Sequence, residues 1–164
     1  MKHLGSNFDS AEWADSHGEW DSTLEEASPP RRKDTMTKQV DMTAIEDIFL
    51  ARNLVDGIVV QRKFGKVYTN VPHNCVSHSP TGFEFGFEGS GPADLALNIL
   101  EAVLKSIGHK GDRHECYAGS CFALAFRMHQ DFKRAYIATL DQDQGGIISY
   151  EIVVAFIQVY LWQW

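Results

Sequence analysis

The chain has 164 residues, 44% of them apolar, and a formal net charge of −7, enough for one core that needs neither disulfide nor metal to fold. The charge is uneven: Asp9, Glu12, Asp15, Glu19, Asp21, Glu25 and Glu26 against Lys2 place −6 in residues 1–30, and 14 basic against 15 acidic side chains remain elsewhere. Without a basic stripe to displace counterions from phosphates, strong direct binding to nucleic acid is excluded.

Residues 1–40 have linker composition, with Ser28-Pro29-Pro30 and Arg31-Arg32-Lys33. They read as an acidic, solvated leader ahead of a single domain over 41–164. Trp13 and Trp20, seven apart, fall on one face if the leader forms a docking helix. The three cysteines, Cys75, Cys116 and Cys121, cannot all pair within the chain, and the N-terminus has no basic segment followed by an apolar run. A cytoplasmic, reducing setting is expected.

Thr43 and Glu46 have capping-box spacing before Ile45, Ile48 and Phe49, which predicts a helix to about Asn53. Gly57–Gln61 and Lys66–Val71 predict a hairpin whose short loop takes its positive φ from Gly65. A polar loop bounded by Pro72 and Pro80 follows. Phe83, Phe85 and Phe87 alternate with Glu84, Gly86 and Glu88, the period of a half-buried strand, and this strand would complete a three-stranded antiparallel sheet. A helix is predicted from Pro92 to about Ile107, stopped by Gly108, then a second through Phe122–Leu140 and a third capped by Ser149 that reaches the C-terminus. The fold class is α+β: a small antiparallel sheet of about three strands covered by three to four helices.

The join at Gly89-Ser90-Gly91-Pro92 is the candidate ligand site. Glycines allow a ligand close to the backbone, and a helix start offers unpaired N–H groups to phosphate or carboxylate. Phe87 would stack on a base, with Gly89, Ser90 and Gly91 presenting N–H groups and Asp94 in the first turn facing the same dipole. The same residues also satisfy a strand-to-helix turn for steric reasons alone. No cofactor is implied.

Residues 79–100, from Ser79-Pro80-Thr81-Gly82-Phe83 to Asp94-Leu95-Ala96-Leu97-Asn98-Ile99-Leu100, resemble the signature SPTGFEWGYGGSGPADLALNIL of the uncharacterised family DUF6166. Phe85 and Phe87 stand where Trp and Tyr are usual, and Glu88 replaces a small residue. The resemblance extends from about Gly57 to the C-terminus, including His129-Gln130-Asp131-Phe132-Lys133. Members occur in phages, prophages and bacteria, and the family brings no established activity. The resemblance implies an accessory protein that counters bacterial immunity by binding. It would either sequester a nucleotide-like signal or act as an anti-CRISPR type inhibitor on a defence protein. A cryptic hydrolase or nucleotide-modifying enzyme is the reading from another class.

Three further patterns bear on chemistry. Asp141, Asp143, Gly146, Ile148 and Ser149 follow EF-hand spacing, but Gly145 stands at position 5 and Ile152 at position 12, with Glu151 one residue early. An Asp-Gly turn between helices is expected instead. His73, Cys75 and His78 in one loop and His114, Cys116 and Cys121 in another would hold zinc if the loops met. With irregular spacing and no Cys-x-x-Cys pair, surface histidines and partly buried thiols are expected, and no metal. For catalysis, Cys75 beside His73 and His78 lacks an orienting third group, and Glu84 and Glu88 on one strand face would be about 13 Å apart, too far to share a proton.

The C-terminal stretch carries Val153, Ile157, Tyr160, Leu161 and Trp164 in one stripe and Val154, Phe156, Val159 and Trp162 around it. It is too interrupted for a membrane span and more apolar than one buried face requires. It reads either as a central buried helix or as an interface for a homo-oligomer or partner anchored by Trp162 and Trp164.

Overall fold

The computed structural model describes residues 42–50 and 52–162. The leader with Trp13 and Trp20, and the terminal Trp164, lie outside the described residues. Residues 40–164 form one compact unit, and its architecture is α+β.

Helix α1 (Met42–Leu50) is followed by a 3₁₀ turn, Leu54–Asp56, capped by the Asn53 side chain on the Val55 N–H. Thr43 lies inside α1 and not ahead of it. Strands β1 (Ile58–Lys63) and β2 (Lys66–Thr69) are the predicted hairpin. Its two-residue turn, Phe64 and Gly65, has positive φ at both positions, the geometry that matches the twist of the strands.

The third strand is β5 (Gly146–Ile148), which pairs antiparallel with β1 and gives the sheet order β2-β1-β5. This corrects the assignment of residues 83–87. β1 already has a partner on each edge, and the Phe83–Phe87 segment is irregular. Its backbone partners are scattered: the Gly86 N–H donates to the Ile137 carbonyl, and the Gln142 side chain donates to the Gly86 carbonyl. Phe85 enters the core under the Arg62 guanidinium, while Phe87 is exposed.

Helix α2 (Ser90–Ser106) is the axis of the domain, with every residue from Gly91 to Leu104 buried. It begins at Ser90 with Gly89 as N-cap, two residues before the expected start. It ends as expected before Gly108, where the Gly108 and His109 N–H groups return to the Lys105 and Leu104 carbonyls in a Schellman closure. Ile58, Val60 and Ile148 of the sheet, Leu124, Met128 and Phe132 of α3 (Ala123–Phe132), and Val153 and Ile157 of α4 (Tyr150–Trp162) share one core with α2. On the other face of the sheet, Val59 and Tyr68 pack with Phe49 of α1.

A second hairpin, β3 (Arg113–Glu115) with β4 (Ser120–Phe122), leads into α3. The long helix expected over 122–140 is α3 followed by a π-helical turn, Lys133–Ile137, in which the Ala138 N–H reaches the Lys133 carbonyl. Asp141–Gly145 is a turn that feeds β5, with the Asp141 carboxylate accepting from the Asp143 and Gln144 N–H groups. Helix α4 starts where expected, its Ile152 N–H on the Ser149 hydroxyl, but it lies on the surface. Only Val153 and Ile157 are buried, so the reading of α4 as the central buried helix is corrected: that position belongs to α2.

Candidate functional site

The polar residues of α2 fall at i, i+4 and i+7, a single face of the helix. Asp94 is fully buried and accepts hydrogen bonds from the backbone N–H groups of Ser77, His78 and Ser79, at 3.1, 2.9 and 2.8 Å. One turn on, Asn98 accepts from the Asn74 and Cys75 N–H groups through its side-chain oxygen, and donates to the Cys75 and Asp94 carbonyls. Glu101 accepts from the Phe122 N–H at 2.7 Å, from Arg113 at 2.8 Å and from Lys105 at 3.1 Å. Burial by itself would raise the Glu101 carboxyl; the Phe122 N–H, Arg113 and Lys105 outweigh it and hold the group below its ordinary value. Each buried polar side-chain atom among the described residues has a hydrogen-bond partner, which is what makes a polar face tolerable at the centre of a core.

The first consequence concerns the predicted ligand site. Asp94 is not in the first turn facing the helix dipole; the three N–H groups of the 77–79 loop consume its charge. At the helix start Pro92 has no N–H and the Ala93 N–H is bonded to the Gly89 carbonyl, which leaves the Ser90 and Gly91 N–H groups as the donors of that turn. A Cβ on Gly91 would stand 2.7 Å from the Glu84 Cβ, so glycine is required there for packing. Ser90 is exposed and Phe87 is 42% exposed. The flanking charges are acidic but paired, Glu84 with Arg62 and Glu88 with Lys133, each at 2.6 Å. Those pairings also occupy the two carboxylates weighed as an acid–base pair.

The second consequence concerns the two cysteine–histidine loops, which do meet. Val76 and Ala118 exchange backbone hydrogen bonds at 2.8 and 3.0 Å, and Gly119, at φ +77°, lets the hairpin tip approach the Asn74 carbonyl, which a Cβ would strike at 2.4 Å. The sulfurs of Cys75, Cys116 and Cys121 thereby come within 4.8 Å of one another. The histidines form separate contacts. His73 packs at a tilt against Phe83, and His114 stacks on Phe126. His78 and His129 meet Nε2 to Nε2 at 2.8 Å. His129 Nδ1–H donates to the Phe126 carbonyl, so its Nε2 accepts, from His78 and Gln130. Burial first, then the neighbouring His78, push His129 below its ordinary value, consistent with a ring that has no room for a second proton. Cys75 is buried and donates to the Asn98 oxygen at 3.4 Å. It is thus a sealed thiol and not an exposed nucleophile.

The third feature is the outward face of α4. Ile152, Val159 and Trp162 are exposed along it, Trp162 by 90%, and on the opposite side of the helix Leu161 lines a groove of about 210 Å³ with His109, Asp112, Leu124 and Arg127. None of the described helices is long and apolar enough to cross a membrane.

An α+β domain wrapped around one helix whose polar face clamps two loops is the class these features define. The model of a family of unknown function, DUF6166, matches residues 51–158, and the chain belongs to that family. The matched residues take in all of the resemblance in 79–100, and Asp94 and Asn98 within it are loop clamps. No curated protein and no solved structure matches the chain.

Proposed function

We propose that the domain is a non-catalytic binding module that recognises another protein through the outer face of α4. The observation that carries this reading is the exposure of Ile152, Val159 and Trp162 along one side of a helix that buries only Val153 and Ile157. A contiguous apolar surface in water costs free energy until something covers it, and aromatic anchors such as Trp162 dominate the energetics of protein interfaces. The residues that would have supported catalysis are engaged elsewhere: Cys75 with Asn98, Glu84 with Arg62, and Glu88 with Lys133. A phage-type accessory protein that blocks a bacterial defence effector, in the manner of an anti-CRISPR inhibitor, would work through such a face, and so would a homo-oligomer.

Photo-crosslinking tests it. A photoreactive residue at Val159 in the full chain, expressed in its own cellular setting, is expected to give a discrete adduct that Trp162→Glu abolishes. Adducts from Phe64 or Tyr117 on other surfaces, with none from α4, would overturn it.

A second reading, sequestration of a nucleotide-like signal, is favoured by the exposed Phe87 ring against Gly89, the N-cap of α2. It predicts a rise in melting temperature with cyclic nucleotides or ADP-ribose derivatives that Ser90→Asp removes. No shift across that set would count against it.

A further inference from the structure

The loop after β2 delivers one thiol, and the two arms of the β3–β4 hairpin one each, to a single point. Cys75 follows β2 and is fixed from both sides by Asn98, which takes its N–H and donates to its carbonyl. Cys121 lies in β4, fully buried. Cys116 ends the other arm of that hairpin, its N–H on the Gly119 carbonyl, and is half-buried. The Cys116 and Cys121 sulfurs are 3.5 Å apart, and all three lie within 4.8 Å of one another.

We propose that Cys75, Cys116 and Cys121 form a binding site for one soft divalent cation of the zinc type, held by three thiolates with a fourth tetrahedral position on the half-exposed Cys116 side for water. Zinc–sulfur bonds of about 2.3 Å at tetrahedral angles set sulfurs about 3.8 Å apart, so the observed spacing closes on an ion with sub-ångström adjustments of side chains whose backbones are already held.

Two buried carboxylates lie close to the cluster. They are those of Asp94 and Glu101, which disfavour thiolate at Cys116 and Cys121 respectively. The same negative potential favours a divalent cation. Binding releases one proton to solvent from each of three thiols, and the ion with three thiolates then carries a net charge of −1. The bound ion would join the loop after β2 to the β3–β4 hairpin, reinforcing the Val76–Ala118 contact.

Cobalt(II) titration of the reduced full chain, with three free thiols verified beforehand, tests the assignment. The expected result is saturation at one equivalent, with thiolate-to-cobalt charge-transfer bands and the visible bands of tetrahedral cobalt, both displaced by zinc. Cys116→Ser, at the half-exposed position, should lose the charge-transfer intensity while keeping the fold by circular dichroism. Absence of charge-transfer bands in the folded, reduced protein would overturn the proposal and leave a hydrogen-bonded thiol cluster. Full retention of them in Cys116→Ser would overturn it too, by placing the metal elsewhere.

Discussion

Helices α2 and α4 invert the usual relation between composition and position. α2 carries Asp94, Asn98 and Glu101 and is buried from Gly91 to Leu104; α4 is apolar on nearly every side and buries two residues. The difference lies in partners. Each polar group of α2 has a specific acceptor or donor in the 74–79 loop or at the β3–β4 hairpin, so the cost of removing it from water is offset. α4 has more apolar surface than its own domain covers.

The largest effect should come from breaking the inner helix. Asp94→Ala leaves the N–H groups of Ser77, His78 and Ser79 unpaired, and at about 1 kcal/mol or more for each the loss is about 3 kcal/mol or greater. Urea unfolding measures it directly, with an unchanged m-value expected. A smaller cost attaches to Gly91→Ala, whose Cβ meets Glu84 at 2.7 Å. A loss of about 1–3 kcal/mol is expected from overpacking, and a variant as stable as the parent would show that the turn has slack.

The pH dependence sharpens the comparison further. Glu101 is held below its ordinary value of 4.5, so its contribution is complete above that pH and is lost as pH falls through the lower folded value. His129 is held below 6.5, and stability from its neutral form is present above that pH and declines as pH falls toward the folded value. Unfolding midpoints should therefore drop in two stages on acidification. Glu101→Gln should remove the more acidic stage and leave the other.

The sequence shows these regions unequally. The β1–β2 hairpin and the body of α2 are legible because turn chemistry at Gly65 and apolar periodicity from Leu95 to Leu104 are local signals. Phe83–Phe87 is not, since its alternation imitates a strand while β1 has no free edge to receive it. The spacing of Asp94, Asn98 and Glu101 is visible, but nothing in it identifies backbone partners in other segments. The thiol cluster depends on one bridge, Val76 to Ala118, which no spacing rule reports. Average hydropathy places α4 inside and misjudges α2, because it weighs polar groups as though none were paired.

One paired substitution tests the inversion most directly. Asn98→Leu puts an apolar side chain at the centre of α2 and removes the side-chain acceptor of the Asn74 and Cys75 N–H groups and the donor to the Cys75 carbonyl; Trp162→Gln puts a polar one on α4, where the side chain is 90% exposed. In denaturant unfolding of the full chain, Asn98→Leu is expected to lose about 2 kcal/mol or more, and Trp162→Gln to stay within about 0.5 kcal/mol of the parent. The opposite ranking, with the outer helix intolerant and the inner one indifferent, would contradict the account.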